Sequence, residues 1–584
     1  IYTTQGALEK VSSIDSQNAV LNEVKYEYDA NLKLKKLYQS YSGSVTTSTP
    51  SLEYTYDSAH DNRLTNVTYP SGKTIEYNYD SFDNVTSINE GTTPLVSYLY
   101  DGSGSPMQTT YNQPNVTLTY ANGGLDRYGR IVNHSWVKNN NALVHIVHGY
   151  NYAGNRLYRN DLVQSANSEL YGYDNLGQIK TLNRGELNSA QNAVTTVNHS
   201  ESWNFDKTGN WLQYTKNNTT ENRTHNAANE LQGIATHDAN GNMILMPGLK
   251  GKYDAWNRLV EVRGLNDNLI AQHEYNGLNQ RIKKTVGSTV TKSFFNENWQ
   301  EIESQTGSEI TSYIWGLRYI DDLVLREKGE ERLYSLADSN WNIVAICDAS
   351  GDIQERYTYD AFGKRNIFDA DFTEKTETEF DWNRAFTGQV LDAETGVMLY
   401  RERYYEIQFG RFVNRDPIEY WAEDANLYRY IFNVPIDGLD PEGLSVVWDW
   451  VVWFCWVDQE PHSQPGTLGY YANEPSYPGG MSRQNRINAS NYLAETFEEG
   501  IDYTQDAVIG VAIGGVSGKV AGNLISGTLK KSDSYASELA NKTFAELQKT
   551  ASGKGPMAIK SKKMLKLIKE SKRLGEKQGG KPKR

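Results

Sequence analysis

A short unit, Tyr-x-Tyr-Asp followed by a turn and an apolar–polar alternation, returns again and again over residues 1–365 and limits what this chain can fold into. Copies stand at Tyr26–Asp29, Tyr54–Asp57, Tyr77–Asp80, Tyr98–Asp101, Tyr171–Asp174 and Tyr357–Asp360, with looser ones at Tyr150–Asn155, Trp203–Asp206, Tyr253–Arg258 and Tyr275–Gly277. Two tyrosines two positions apart lie on the same face of a strand. The Asp after them, with Gly or Asn about three residues on, suits a tight turn into a second strand. Each unit therefore reads as a β-hairpin. One hairpin cannot bury its aromatic face alone, so neighbours must stack. Spacing that wanders within roughly 20–30 residues favours a long coiling antiparallel sheet over a strict propeller. The composition agrees: 40 tyrosines, 48 glycines, 15 prolines and 12% aromatic residues describe many short strands joined by turns, and disorder would leave few aromatics. Structural packing is the plain role of the tyrosines, and carbohydrate binding by exposed rings is the sharper one.

The two cysteines, Cys347 and Cys455, exclude a disulfide framework and a CxxC metal pair. No signal peptide opens the chain, and Ile1–Thr4 reads like the inside of a strand, so any export signal is expected upstream. The net charge of −14 is uneven: residues 551–584 carry twelve Lys/Arg against Glu570 and Glu576. A basic tail on an acidic body fits a nucleic-acid or anionic-lipid target, or a tail held by the body itself.

Residues 386–445 carry the chemistry. Asp416-Pro417 and Asp440-Pro441 are turn formers, separated by an aromatic stretch long enough for a strand or helix and a return. Brought together, two carboxylates share a proton, one serving as general base on water and the other polarising a carbonyl. A nearby Arg can hold one of them ionised.

The Tyr-Asp units resemble the YD repeats of the RHS family, which includes the shell subunits of insecticidal toxin complexes. The stretch from Phe386-Thr387-Gly388-Gln389 through Arg401-Glu402-Arg403-Tyr404-Tyr405, Gly410-Arg411-Phe412 and Arg415-Asp416-Pro417 to Asp440-Pro441-Glu442-Gly443-Leu444 resembles that family's core-terminating hallmark. The resemblance implies a mainly β chain whose hairpins coil into a hollow, cocoon-like shell over residues 1–385. It implies an aspartyl autoprotease in 386–444 and a variable toxin segment in 445–584. Matched residue by residue, the catalytic candidates are Asp416, Asp440 and Arg403, with the cut between Leu444 and Ser445 and no cofactor or metal. Arg411 and Arg415 read as structural or salt-bridging. Glu419 stands where the family often has Gly, which puts the shape of the first Asp-Pro turn in question. The resemblance also implies delivery by a secretion system such as type VI, use in bacterial competition or host attack, an immunity protein, and an upstream shell piece or a second copy to complete the enclosure.

Beyond residue 444 the repeat stops. A Trp-rich run, 446–457, and a Pro/Gly-rich linker lead to a small, mostly α segment: a helix over Ser490–Thr504, a stripe of Gly510, Gly514, Gly518 and Gly522, an amphipathic helix over Tyr535–Lys549 and a basic one over Lys560–Arg573. The stripe suits close helix packing, or a membrane-active hairpin in which Lys519 would be costly. A single histidine, His462, disfavours a His-rich metal nuclease, and there is no zinc-deaminase, GxSxG or phosphate-loop signature, though a nuclease remains open. The alternative to a toxin is a cell-surface adhesion or glycan-binding protein.

Overall fold

The computed structural model describes residues 1–444, except Asp61, Asn62, Ser103, Asn122 and Glu423, together with the backbone of Val447–Trp448. The helices expected between residues 490 and 573 and most of the Trp-rich run lie outside the described residues. What is described is mainly β, as the repeat implies. An 18-stranded sheet runs from Lys10–Ile14 to Thr219–Asn222, and a 15-stranded sheet from Thr236–His237 to Glu374–Lys375. Within each sheet every strand pairs antiparallel with the next one in sequence, a continuous meander.

The repeat's chemistry explains its turns. The Asp174 carboxylate accepts the backbone N–H groups of Leu176 at 2.9 Å and Gln178 at 3.0 Å, and Gly177 takes φ +78° to close the loop. Asp29, Asp80, Asp126, Asp254 and Asp338 do the same. At Asn226, Asn276 and Asn296 the amide oxygen takes over, so the looser copies fold alike. The first tyrosine of the pair is buried in the core at Tyr26, Tyr54, Tyr98, Tyr171 and Tyr357. The second donates its hydroxyl to a carbonyl in the preceding unit: Tyr28 to Leu8, Tyr56 to Leu34, Tyr100 to Val85, Tyr173 to Arg156 and Tyr359 to Ile343, at 2.7–2.8 Å; in the looser copy at 150–155 the first tyrosine takes this place, Tyr150 donating to Ile131 at 2.9 Å. These pairs are structural: one ring fills the core and the other pins each repeat to the one before.

The two sheets run alongside each other in the same direction over one apolar core. Asn22 donates to the Tyr275 carbonyl, Gln39 to Ser293, Tyr69 to Tyr313, Trp136 to Ala337 and Arg184 to Tyr359. This winding β shell also receives residues 386–444. Their four short strands, Val390–Leu391, Met398–Tyr400, Arg403–Glu406 and Arg411–Phe412, make a separate small meander. Its Tyr400, Tyr405 and Phe412 join the large core, and Val397, Tyr404 and Val413 a second one with Met243, Leu259 and Val262.

Between the two Asp-Pro turns the chain returns with little regular structure before the short strand Gly438–Leu439. It makes two short 3-10 turns, Glu419–Ala422 and Ile431–Asn433, and Ile431, Phe432 and Asn433 all take positive φ. Hydrogen bonds to the repeat turns replace regular structure: Asn433 donates to the Gly209 carbonyl and Asn426 to that of Thr208, while the Tyr428 hydroxyl donates to Gly241. The segment is shaped by the shell surface beneath it.

Candidate active site

Arg403 opens the strand Arg403–Glu406, opposite Tyr400 across a two-residue hairpin loop. Its guanidinium lies 3.6 Å from the Phe412 ring centroid and is 3% exposed. One nitrogen, Nη2, lies 2.9 Å from Asp416 Oδ2 and 3.6 Å from Asp440 Oδ2. Nη1 donates to the Leu427 carbonyl at 3.2 Å and Nε to the Gly443 carbonyl. Burial pushes Arg403 below the usual guanidinium range, with Asp416 and then Asp440 acting against it.

Both acids are buried and held by backbone. The Asp416 N–H donates to Leu427 O at 2.9 Å, and its Oδ1 accepts the N–H of Ile418 at 3.0 Å. Asp440 Oδ1 accepts the N–H of Leu444 at 2.9 Å. Leu444 is itself buried. Gly443 is required by both conformation and space: its φ is +69°, and a Cβ there would meet the Tyr400 carbonyl oxygen at 2.5 Å. Strands Gly438–Leu439 and Val447–Trp448 pair antiparallel, so residues 440–446 are the connection of a hairpin. Arg403, Asp416, Asp440 and Leu444 thus meet in one place; Ser445 lies outside the described residues.

Glu419 occupies the position in question. Its φ of +52° is the left-handed conformation that glycine adopts freely, and its N–H donates to Asp416 O at 2.9 Å. The turn after Asp416 therefore holds a strained residue. Glu419→Gly is expected to raise the urea midpoint of unfolding by an amount worth about 1 kcal/mol; an unchanged or lower midpoint would contradict the strain. Arg415 pairs with Glu230 at 2.7 Å, and Arg411 donates to the Asn229 carbonyl at 2.6 Å and stacks on Tyr428. Both are structural contacts.

Among the described residues, two groups of side chains have the composition of metal ligands: His199, Glu201 and Asp360, and His273, Asp392 and Glu394. Each already holds cations of its own. Lys216 lies 2.5 Å from Asp360, and Arg281 and Lys284 bind Asp392. The sequence does not single out Phe412, Arg401 or Asp321, which lie against Arg403 or its loop. Arg401 was visible only as the first Arg of Arg-x-Arg, and Asp321 stands in an Asp-Asp doublet outside any repeat.

Comparison with known proteins gives this geometry a setting. The Teneurin YD-shell family model matches residues 2–436. The tRNA3(Ser)-specific nuclease WapA of Bacillus spizizenii is 29% identical over 247 residues, 40% of this chain and 10% of the relative. Double-stranded DNA deaminase toxin A of Burkholderia cenocepacia is 23% identical over 542 residues, 81% of this chain and 36% of the relative. Among solved structures, the TcdB2-TccC3 crystal structure superposes with a TM-score of 0.56 at 16% identity, over 75% of this chain and 25% of the other. A Photorhabdus luminescens Tc holotoxin pore gives 0.59 at 15% identity, over 76% and 25%. The matches span from a tenth to about a third of the relatives' own length, and the structural likeness is one of fold. With its family model extending over three quarters of the sequence, the chain belongs to the Teneurin YD-shell family.

Proposed function

We propose that residues 386–444 act as an intramolecular aspartyl peptidase that cuts the chain once, between Leu444 and Ser445, and frees residues 445–584 as a toxin segment. The observation that carries this reading is the shared guanidinium: Arg403 faces Asp416 and Asp440 with one nitrogen and holds the carbonyl of Gly443, next to Leu444, with another. Two carboxylates and one guanidinium, all buried, are neutral together when the carboxylates hold one proton between them, and a buried site favours that balance. Asp416, closer to Arg403, is the ionised member and takes a proton from water. The water oxygen attacks the Leu444 carbonyl carbon, which the protonated Asp440 polarises. The C–N bond then breaks as the Ser445 nitrogen takes up a proton, leaving a Leu444 carboxylate and a Ser445 amine. Tethering supplies the effective concentration that a single slow turnover needs.

In this reading residues 1–385 enclose the freed segment and the acidic body helps hold its basic tail. The protein leaves a bacterium by secretion or injection, works in competition or host attack, and is neutralised in its producer by an immunity protein. Relatives named as a tRNA nuclease and a DNA deaminase toxin support an enzymatic cargo, with nucleic acid the target that the basic tail favours. The test is the mass of the purified chain under denaturing conditions. Two fragments, 1–444 and 445–584, are expected; a single 584-residue species after long incubation would sink the reading.

A further inference from the structure

The loop leading into Leu444 is held at every step. The two loop residues and the strand residue after them bind three consecutive carbonyls: Arg401 Nη1 donates to Pro441 O, the Glu402 N–H to Glu442 O at 3.2 Å, and Arg403 Nε to Gly443 O. Glu402 contributes only backbone to this grip, and Arg403 belongs to the charged centre. Arg401 belongs to neither. Its guanidinium makes a closed pair with the buried Asp321 carboxylate, Nη2 at 2.6 Å from Oδ1 and Nη1 at 3.2 Å from Oδ2. Asp321 is fixed in turn by the Gln389 amide at 2.8 Å.

The backbone of Arg401 gives the second, independent sign. Its φ is +42°, in the first position of a two-residue hairpin loop, where a glycine would sit without cost. A strained residue persists when something about its side chain outweighs the strain, and such positions gather at functional sites. What this side chain does is visible: it carries a fixed positive group to the carbonyl three residues before the scissile bond. The two arginines also differ electrostatically. Burial works against the charge of each, but Asp321 outweighs it at Arg401, whose net direction is upward, while Arg403, facing Asp416 and Asp440, is pushed down. Arg401 therefore has its own counter-ion and draws nothing from the catalytic pair.

We propose that Arg401, oriented by Asp321, is a positioning residue for the self-cleavage described above: it fixes the Pro441 carbonyl and so holds Leu444 against Asp440. This rests on the peptidase reading. It assigns Arg401 no part in proton transfer, which stays with Asp416 and Asp440.

The informative variant is Arg401→Gly, because glycine suits φ +42° and relieves the backbone as it removes the guanidinium. Full-length chain made by cell-free synthesis is sampled over time, quenched in denaturant and resolved by mass, at several pH values. Arg401→Gly is expected to keep the β-sheet circular dichroism of the wild type, to lower the unfolding midpoint because Asp321 is left buried without its counter-ion, and to cleave about 100-fold more slowly under conditions where both chains are folded, the usual effect of a small misplacement of reacting groups. The deficit should be equal at all pH values, since positioning does not alter the acids. Arg401→Lys, able to reach one partner with a point charge, should recover part of the rate. Cleavage of Arg401→Gly at the wild-type rate overturns the proposal, as does a shifted pH profile, which would make Arg401 part of the charged centre. A wild-type chain that stays whole overturns the peptidase reading and this role with it, so the two failures are told apart by the wild-type lane.

Discussion

Asp416→Asn and Asp440→Asn should each leave the chain at its full 584 residues when the wild type splits after Leu444. An amide keeps the shape of a carboxylate but can neither take a proton from water nor give one to a carbonyl. In the proposed mechanism each acid does half of the proton work, and general acid–base groups contribute about 10²–10⁴-fold apiece. Members of one catalytic unit are strongly non-additive, so the double variant should be little slower than the slower single one. Stability offers a second reading of the same variants. Losing Asp416 removes the nearer of the charges facing the buried Arg403, at 2.9 Å, while Asp440 at 3.6 Å remains. Asp416→Asn should therefore lower the urea midpoint more than Asp440→Asn. Fragments of 444 and 140 residues from either variant would remove the acids from the chemistry.

Gly443→Ala should be nearly as damaging to cleavage, for a different reason. The added methyl meets the Tyr400 carbonyl oxygen at 2.5 Å and the Tyr400 Cβ at 3.2 Å, against backbone that cannot swing aside, and the φ of +69° costs about 1–2 kcal/mol for any L side chain. The loop must lift, and it lifts the Arg403–Gly443 contact and the Asp440–Leu444 hydrogen bond with it. Cleavage is expected to fall by at least about 100-fold while all acids remain in place. The shell should fold as before, because the clash is confined to the contact of Gly443 with Tyr400 and Arg403, outside the two large sheets. Time courses of denatured samples measure the first effect and circular dichroism the second; wild-type cleavage by Gly443→Ala would show that the loop closes in some other way.

Much of this molecule could be read from its residues, and the reasons are local. A Tyr-x-Tyr-Asp unit dictates its own hairpin, since the Asp174 carboxylate caps a turn four residues long and the Tyr173 hydroxyl reaches the repeat before it. The meander follows from repetition. How the second sheet lies along the first was not legible, because pairings such as Asn22 with Tyr275 join residues far apart that share no pattern. The site divides in the same way. Arg403, Asp416 and Asp440 stand in motifs with recognisable neighbours, and the structure places them together. Asp321 could not have been found: it reaches Arg401 from 80 residues upstream, and nothing in its own sequence context marks it. The path from Asp416 to Asp440 was not legible beyond its length, because Asn426, Tyr428 and Asn433 bond outward to repeat turns and leave the backbone to follow them.

The short antiparallel pairing of Gly438–Leu439 with Val447–Trp448 has a bearing on what cutting can achieve. The bond proposed to break lies in the connection, and the ladder on either side survives it, like a zip whose stitched end has been snipped while its teeth stay engaged. Covalent separation and physical departure then become two events with different controls. In the proposed mechanism the first is set by Asp416 and Asp440. The second waits on a pull or a partner that peels Val447 and Trp448 from their neighbours, one hydrogen-bonded step at a time. After such a cut the new amino terminus would still be tied to the shell at this point by two residue pairs, Gly438 with Trp448 and Leu439 with Val447.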